Sequence, residues 1–173
     1  MKIGIDIGGV IVGGNARTPG QKREDTMFSP YPNTYLKTQP TEGAIAAVTQ
    51  IVKWFGPENV FIVSKASPDM ERRTRHWMEH NKFYEQTGFL KENLNFCLER
   101  IDKAPICKRL GINIFIDDKL DVLRHFILDD LVRYRIWFKP KPFELEKLAE
   151  FVPKVIQVRS WEETLKAIEG IRL

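Results

Sequence analysis

The chain has 173 residues and a mass of 20.2 kDa, enough for one hydrophobic core and hardly enough for two. Hydrophobic residues make up 43% and charged residues 29% of the chain, a balance that excludes disordered, collagen-like and disulfide-scaffold proteins. The 27 basic and 23 acidic residues leave a net charge of +4, too small an excess to predict nucleic-acid binding. We therefore expect residues 1–173 to form a single domain.

The sequence also predicts a location. The longest apolar stretches, 3–12 and 60–63, are far shorter than the roughly 20 residues that cross a bilayer. The first of them contains an acid, Asp6, and no small-residue cleavage site, unlike a signal peptide. Cys97 and Cys107 are too few for a zinc site and are expected to be reduced. These features predict a cytoplasmic protein that does not enter a membrane.

Short apolar runs alternate along the chain with amphipathic segments of helical length. In chain order the expected elements are strand 2–7, helix 41–55, strand 59–63, helix 68–81, strand 94–97, helix 104–110, strand 112–116, helix 119–126, strand 134–138, helix 142–151, strand 154–158 and helix 161–169. Strands that are apolar throughout are buried on both faces, which in this order indicates a mostly parallel sheet with helices on either side. The predicted fold class is α/β, a three-layer α/β/α Rossmann-like sandwich.

One segment, residues 13–39, interrupts the alternation. It has no periodic pattern and contains several proline and glycine residues. A loop of this length inside a compact domain is usually a lid or a binding loop. It follows the first strand, whose carboxyl end is where ligands bind in open α/β sheets. We predict a small cap insertion over the active site, the alternative being a plain surface excursion.

Residues suited to phosphate chemistry lie near the ends of several predicted strands. They are Asp6, Gly8 and Gly9 around the end of the first strand, Ser64 and Lys65 after the second, Lys103 at the start of a helix, and Asp117 and Asp118 after the fourth strand. The carboxyl ends of parallel strands meet at one sheet edge, so these residues are expected to lie together. Carboxylate oxygens are hard ligands that suit Mg²⁺, which completes its coordination with water and substrate phosphate. The pattern predicts a magnesium phosphate site.

Other kinds of site are not indicated. The three histidines lie on predicted helices without the cysteine or carboxylate spacing of a transition-metal site. There is no glycine-rich phosphate loop with its lysine and hydroxyl, and no Gly-x-Ser-x-Gly elbow. Basic clusters at 72–75 and at Lys139 with Lys141 suit either an anionic ligand or a solvated surface.

With these motifs in this order, the chain resembles the haloacid dehalogenase-like superfamily, most of whose members are Mg²⁺-dependent phosphohydrolases with a Rossmann-like sheet. The resemblance covers residues 1 to about 140. It rests on a first strand that carries an Asp, a second strand that ends in Ser, a Lys, and an acidic pair after a later strand, which match Asp6, Ser64, Lys103 and Asp117-Asp118. The first motif, Asp-Ile-Gly-Gly-Val at 6–10, is atypical.

The resemblance implies a role for each of these residues. Asp6, Ser64 and Lys103 would be catalytic, with Asp6 attacking phosphorus to form an aspartyl-phosphate and the other two holding phosphoryl oxygens. Lys65 and Gly9 would complete the phosphate-binding set. The metal ligands would be Asp6, the main-chain oxygen of Gly8, and Asp117 or Asp118. Lys108 is a rival for Lys103, but it lies more than a turn further into the helix.

The chain departs from the family at Gly8, where most of these phosphatases carry a second Asp that protonates the leaving group. Loss of a general acid is worth about 10²- to 10⁴-fold in rate. Two hypotheses therefore stay open: a phosphohydrolase acting on a small phosphoester, with nucleotides among the candidates, or a phosphate-binding or regulatory module with little turnover.

Two further classes are less well supported. The Ile-Asp-Ile-Gly-Gly run at 5–9 is also similar to a phosphate motif of actin-like sugar kinases, but those enzymes need two such domains. A true dehalogenase would use the same Asp on carbon, whereas the Ser, the Lys and the paired acids suit a phosphate.

Overall fold

Six parallel strands form one sheet in the computed structural model, which describes residues 1–13, 26–128 and 132–173. They are β1 (Ile3–Ile5), β2 (Val60–Lys65), β3 (Leu94–Cys97), β4 (Ile114–Asp117), β5 (Tyr134–Phe138) and β6 (Ile156–Val158). Their spatial order is β3-β2-β1-β4-β5-β6. From β1 the strand order runs first to one side of the sheet, through β2 and β3, and then to the other side, through β4, β5 and β6, so that β1 pairs with both β2 and β4. In parallel sheets, such a switch in strand order opens a ligand crevice at the carboxyl edge.

Helices cover both faces of this sheet. They are α1 (Ala44–Phe55), α2 (Pro68–His80), α3 (Phe83–Thr87), α4 (Lys103–Leu110), α5 (Leu120–Leu128), α6 (Pro142–Lys147) and α7 (Trp161–Arg172), with shorter 3-10 helices at Thr34–Lys37, Pro57–Asn59, Lys91–Asn93, Arg100–Asp102 and Ala149–Lys154. The predicted α/β sandwich with a Rossmann-like sheet is confirmed, and the sheet is parallel throughout its described strands.

Alternating residues of the strands pack into two separate hydrophobic cores, one on each face of the sheet. Ile62 and Ile116 face one core together with side chains of α1, α2 and α7. Val63 and Phe115 face the other core, with side chains of α4 and α5. The central strands β1, β2 and β4 are buried on both faces because helices cover each face, which is why their sequences are apolar without alternation.

Several local predictions differ from the structure. β1 ends at Ile5, so Asp6 follows it, whereas Ser64 and Asp117 lie inside β2 and β4 and not after them. The expected helix 142–151 is divided, because Leu148, with φ of −125°, separates α6 from the 3-10 helix Ala149–Lys154. α3 was not predicted, since five residues are too few to show a helical period.

The ends of the predicted cap, residues 13–39, are fixed to the domain. Val12 forms an antiparallel bridge with Pro40, and the indole N–H of Trp77 donates to the carbonyl of Thr38 at 2.8 Å. Arg73 donates to the carbonyls of Met27 and Ser29 at 3.2 and 2.7 Å. Residues 14–25 of this segment lie outside the described residues, so its role as a cap stays a prediction.

Within the described ranges, no helix combines the length and the apolar character that a membrane crossing requires.

Candidate functional site

Three buried carboxylates meet at the carboxyl edge of the sheet. Asp6 follows β1 directly, Asp117 is the last residue of β4, and Asp118 is the next residue. One carboxylate oxygen from each lies within 4.8 Å of the others, and this is the group of described residues that could hold a metal ion. The three side chains come together because β1 and β4 are neighbours in register, Ile5 beside Ile116.

Lys103 neutralises part of this cluster. It is the first residue of α4 and is almost fully buried, at 2% exposure. Its Nζ lies 2.7 Å from Asp117 Oδ2 and 2.9 Å from Asp6 Oδ1. Burial alone would lower the pKa of Lys103, but the charges of Asp117 and Asp6 outweigh it and raise that pKa. The rival, Lys108, is exposed and does not line the pocket.

Asp117 is the most constrained carboxylate of the cluster. It is fully buried, its Oδ1 accepts from the backbone N–H of Lys119 at 2.8 Å, and its Oδ2 accepts from Lys103. Burial raises its pKa to about 7, an effect that Lys103 opposes and that the negative charges of Asp6 and Asp118 reinforce. A cation in the site would therefore compete with a proton on Asp117 near neutral pH.

Asp118 is held by two further lysines. Nζ of Lys141 lies 2.7 Å, and Nζ of Lys119 3.3 Å, from the same oxygen, Asp118 Oδ2. The indole N–H of Trp137, a buried residue of β5, donates to the backbone carbonyl of Asp118 at 3.3 Å. The backbone of Asp118 is thus held by β5, and its side chain is held by Lys141 from the loop after β5 and by Lys119 from its own segment.

When all six ionisable groups of the cluster are charged, they balance before any ligand is added. Three carboxylates (Asp6, Asp117, Asp118) face three ammonium groups (Lys103, Lys119, Lys141). A divalent cation alone would leave the site with an excess of two positive charges, and a phosphate dianion beside it would remove that excess. The donor set therefore fits a hard cation such as Mg²⁺ bound together with a phosphate.

The two glycines after Asp6 differ in what they allow. Gly9 has φ of +79°, and a Cβ there would lie 2.6 Å from Asp118 Oδ2, so a side chain would displace the carboxylate. Gly8 does not need a positive φ, and a Cβ built on it would have no neighbour within 4 Å. An acid at position 8 would therefore fit sterically.

These groups line a pocket of about 740 Å³. Every residue that the sequence placed in the site lines it: Asp6, Gly8, Gly9, Ser64, Lys65, Lys103, Asp117 and Asp118. The Ser64 side chain is nearly buried, and its hydroxyl has no hydrogen-bond partner among the described residues. From the predicted cap, Met27 and Phe28 contribute to the wall.

Sequence reasoning did not place several other lining residues in the site. They are Lys119, Lys139 and Lys141 on the β4 and β5 side, Met70 and Phe96 on the β2 and β3 side, and Arg100 and Glu42 at further positions. In the sequence, Lys139 and Lys141 stand out only as a basic cluster. Lys139 directly follows the apolar strand 134–138, the same signal that indicates Asp117, and it could have located both lysines.

Cys97, Cys107 and His76 do not form a second catalytic centre among the described residues. Cys97 and Cys107 are free and buried, and burial raises the pKa of Cys97 to about 11 and of Cys107 to about 12. They stay protonated thiols and poor nucleophiles at neutral pH. His76 hydrogen-bonds the hydroxyl of Tyr35 at 2.7 Å, a packing role.

Comparison of the chain with protein-family models and with curated protein sequences finds no match.

Proposed function

We propose that the chain is a Mg²⁺-dependent phosphohydrolase of the haloacid dehalogenase-like kind, acting on a small phosphoester through an aspartyl-phosphate. The observation that carries the proposal is the charge-balanced set of three buried carboxylates and three lysines at the switch point of a parallel sheet. Binding a divalent cation together with a phosphate dianion is electrostatically more favourable for this set than binding either ion alone, because the pair adds no net charge.

Asp6 is the proposed nucleophile. Its carboxylate follows the central strand β1 and lines the pocket, and its Oδ1 lies 2.9 Å from Nζ of Lys103. An oxygen of Asp6 forms a bond to phosphorus, the bond from phosphorus to the ester oxygen breaks, and the departing alkoxide takes a proton. Water then cleaves the aspartyl-phosphate, which releases inorganic phosphate and restores Asp6.

The remaining site residues bind and orient the phosphate. Ser64 offers a free hydroxyl beside the carboxylates, and Lys103 offers an ammonium group to the phosphoryl oxygens. Mg²⁺ would be held by Asp6, by Asp117 or Asp118 and by the main-chain oxygen of Gly8, and would neutralise the charge between nucleophile and phosphate. Lys65 would complete the phosphate contacts, whereas the backbone N–H of Gly9 already donates to the carbonyl of Val12 at 2.8 Å.

The proton for the leaving group has no dedicated donor at position 8. Glu42 is the acid outside the carboxylate cluster that lines the described part of the pocket, and it is exposed. Glu24 and Asp25, the nearest acids along the chain, lie outside the described residues. Without a positioned acid, rates should depend steeply on the leaving group, and p-nitrophenyl phosphate should react far faster than an alkyl phosphate.

The same glycine favours a second candidate function, a module that binds Mg²⁺ and a phosphate with little turnover. The metal and phosphate contacts do not depend on an acid at position 8, whereas proton transfer does. Phosphate release from a panel of phosphoesters, with Mg²⁺ and with EDTA, separates the two, because metal-dependent release well above background excludes a pure binding module.

The substitution Asp6→Asn tests the proposal directly. The amide is nearly isosteric but is a poor nucleophile, so Mg²⁺-dependent hydrolysis of p-nitrophenyl phosphate should fall by several powers of ten. Asp121→Asn is the matched control, because Asp121 is a carboxylate in the first turn of α5 that does not line the 740 Å³ pocket. If Asp6→Asn retained more than about a tenth of the wild-type rate, Asp6 would not be the nucleophile.

We further propose that the chain acts in a reducing compartment such as the cytoplasm, which suits its free Cys97 and Cys107.

A further inference from the structure

The pocket carries more positive charge than its reaction centre needs. Outside the six balanced inner groups, the described lining residues include three cations (Lys65, Arg100 and Lys139) and one acid, Glu42. Arg100 is 3.8 Å from Asp121, which partly neutralises it. Lys65 lies directly after Ser64, next to where the reacting phosphate is placed. Lys139 is therefore the cation that the proposed reaction leaves without a role.

Lys139 occupies a defined position on the β5 side of the pocket. It follows β5 directly, and its backbone N–H donates to the carbonyl of Val158 at 2.7 Å. It lies two residues before Lys141, whose ammonium group forms an ion pair with Asp118. Its ammonium is 5.4 Å from the centre of the Phe138 ring and pairs with no described acid. Its φ is +51°, an uncommon conformation for a residue other than glycine or asparagine.

The opposite side of the pocket has a different character. Phe96, in register with Ser64 on the neighbouring strand β3, and Met70 line the pocket there, and Met27 adds an apolar side chain from the predicted cap. A ligand with its reacting phosphate at Asp6 would thus meet apolar groups towards β3 and lysines towards β5. Two strand spacings, about 10 Å, separate β1 from β5, and the lysine side chain shortens that distance.

We propose that Lys139 binds a second anionic group of the substrate, and that the preferred ligand is a small organic bisphosphate. The inference rests on the proposed function, because the reacting phosphate at Asp6 fixes one end of the ligand. The metal and the first phosphate leave the inner charges balanced. A second phosphate could then accept a charge-assisted hydrogen bond from Lys139, and no existing ion pair would have to break.

The test measures binding with probes that cannot be hydrolysed. Short alkane bisphosphonates of increasing chain length, and the matching alkyl monophosphonates, are titrated calorimetrically into the Mg²⁺-loaded wild-type protein. The best bisphosphonate should bind at least about tenfold more tightly than its monophosphonate, the effect of one charge-assisted contact. Lys139→Asn should remove most of that ratio, and Lys139→Arg should keep it.

Lys82→Asn is the matched control. Lys82 is exposed, also has a left-handed backbone with φ of +52°, and lies outside the pocket. Its replacement by Asn makes the same change in net charge and in backbone preference, and the ratio should stay at the wild-type value. Lys65→Asn tests the other side of the pocket and should weaken both probe types alike.

Four results would overturn the inference. The first two are equal affinity for both probe types and no binding of either. The others are a ratio that Lys82→Asn lowers as much as Lys139→Asn does, and a ratio that depends on Lys65 and not on Lys139. Phosphate release from phosphoesters is measured separately. Binding that depends on Lys139 without any release would remove the proposed function and keep the anion site. Phosphate release without a binding preference for bisphosphonates would support the proposed function and exclude the anion site at Lys139.

Discussion

Replacing Lys103 by Met should destabilise the metal-free protein strongly. The substitution removes an ammonium group that lies 2.7 Å from Asp117 and 2.9 Å from Asp6, both buried. Breaking a buried ion pair by deleting one partner costs about 3–5 kcal/mol, because the remaining charge has no compensation. For a chain of 173 residues, in which 1 kcal/mol shifts Tm by about 2–4 °C, the loss corresponds to about 6–20 °C.

The assay is thermal unfolding in buffer with EDTA, followed by circular dichroism. Lys108→Met is the matched control, because Lys108 is exposed on the same helix, α4, and its loss should change Tm by no more than about 2 °C. Added Mg²⁺ should recover more of the Tm in Lys103→Met than it adds to wild type, since the cation then supplies the missing positive charge.

A Lys103→Met protein that melts within about 2 °C of wild type in EDTA would refute this reasoning. It would mean that Asp6 and Asp117 do not depend on Lys103 for compensation.

Three further outcomes are expected. Mg²⁺ and inorganic phosphate added together should raise Tm by more than the sum of their separate effects, and additive shifts would argue against the charge-balance account. Gly9→Ala should lower Tm and Mg²⁺ binding, while Gly8→Asp should fold normally and speed hydrolysis of alkyl phosphates; an unchanged alkyl phosphate rate would show that protonation is already supplied. Denaturant titrations in EDTA give the free energy of unfolding of wild type relative to that of Asp117→Asn. This difference should fall as pH rises from about 5 to 8, by at most about 1.4 kcal/mol per pH unit. A difference that stays flat or rises would contradict the raised pKa of Asp117.

The sign of the pH effect follows from Asp117. Its folded pKa of about 7 lies above its ordinary value of 3.8, so the folded state holds a proton that the unfolded chain has released. This contribution to stability is complete below the unfolded pKa and is lost as pH rises through the folded pKa.

The sequence was sufficient to predict which main-chain positions would meet. Asp6 lies within the first apolar run and Asp117 ends a later one, and the alternation of strands with helices implied a parallel sheet whose strand ends share one edge. Ser64 was located by the same argument, although the strand extends one residue past it. These inferences needed only the period of the apolar residues and the order of the elements.

Side-chain pairings were beyond that reasoning. That Lys119 and Lys141 share one oxygen of Asp118 depends on rotamers and on the path of the loop after β5. The need for glycine at position 9 depends on a φ of +79° and on a carboxylate that arrives from another strand. Neither is encoded in local periodicity, because both depend on tertiary contacts.

The bridge between Val12 and Pro40 has a consequence for engineering. The chain leaves the sheet after β1 and returns to the same place, where the Trp77 and Arg73 contacts fix the returning strand and its approach. An excursion with adjacent, fixed ends can change length at little cost, about 0.6 kcal/mol for each doubling. A change in the length of the segment between Val12 and Pro40 is therefore expected to cost little stability and to leave Asp6 in place.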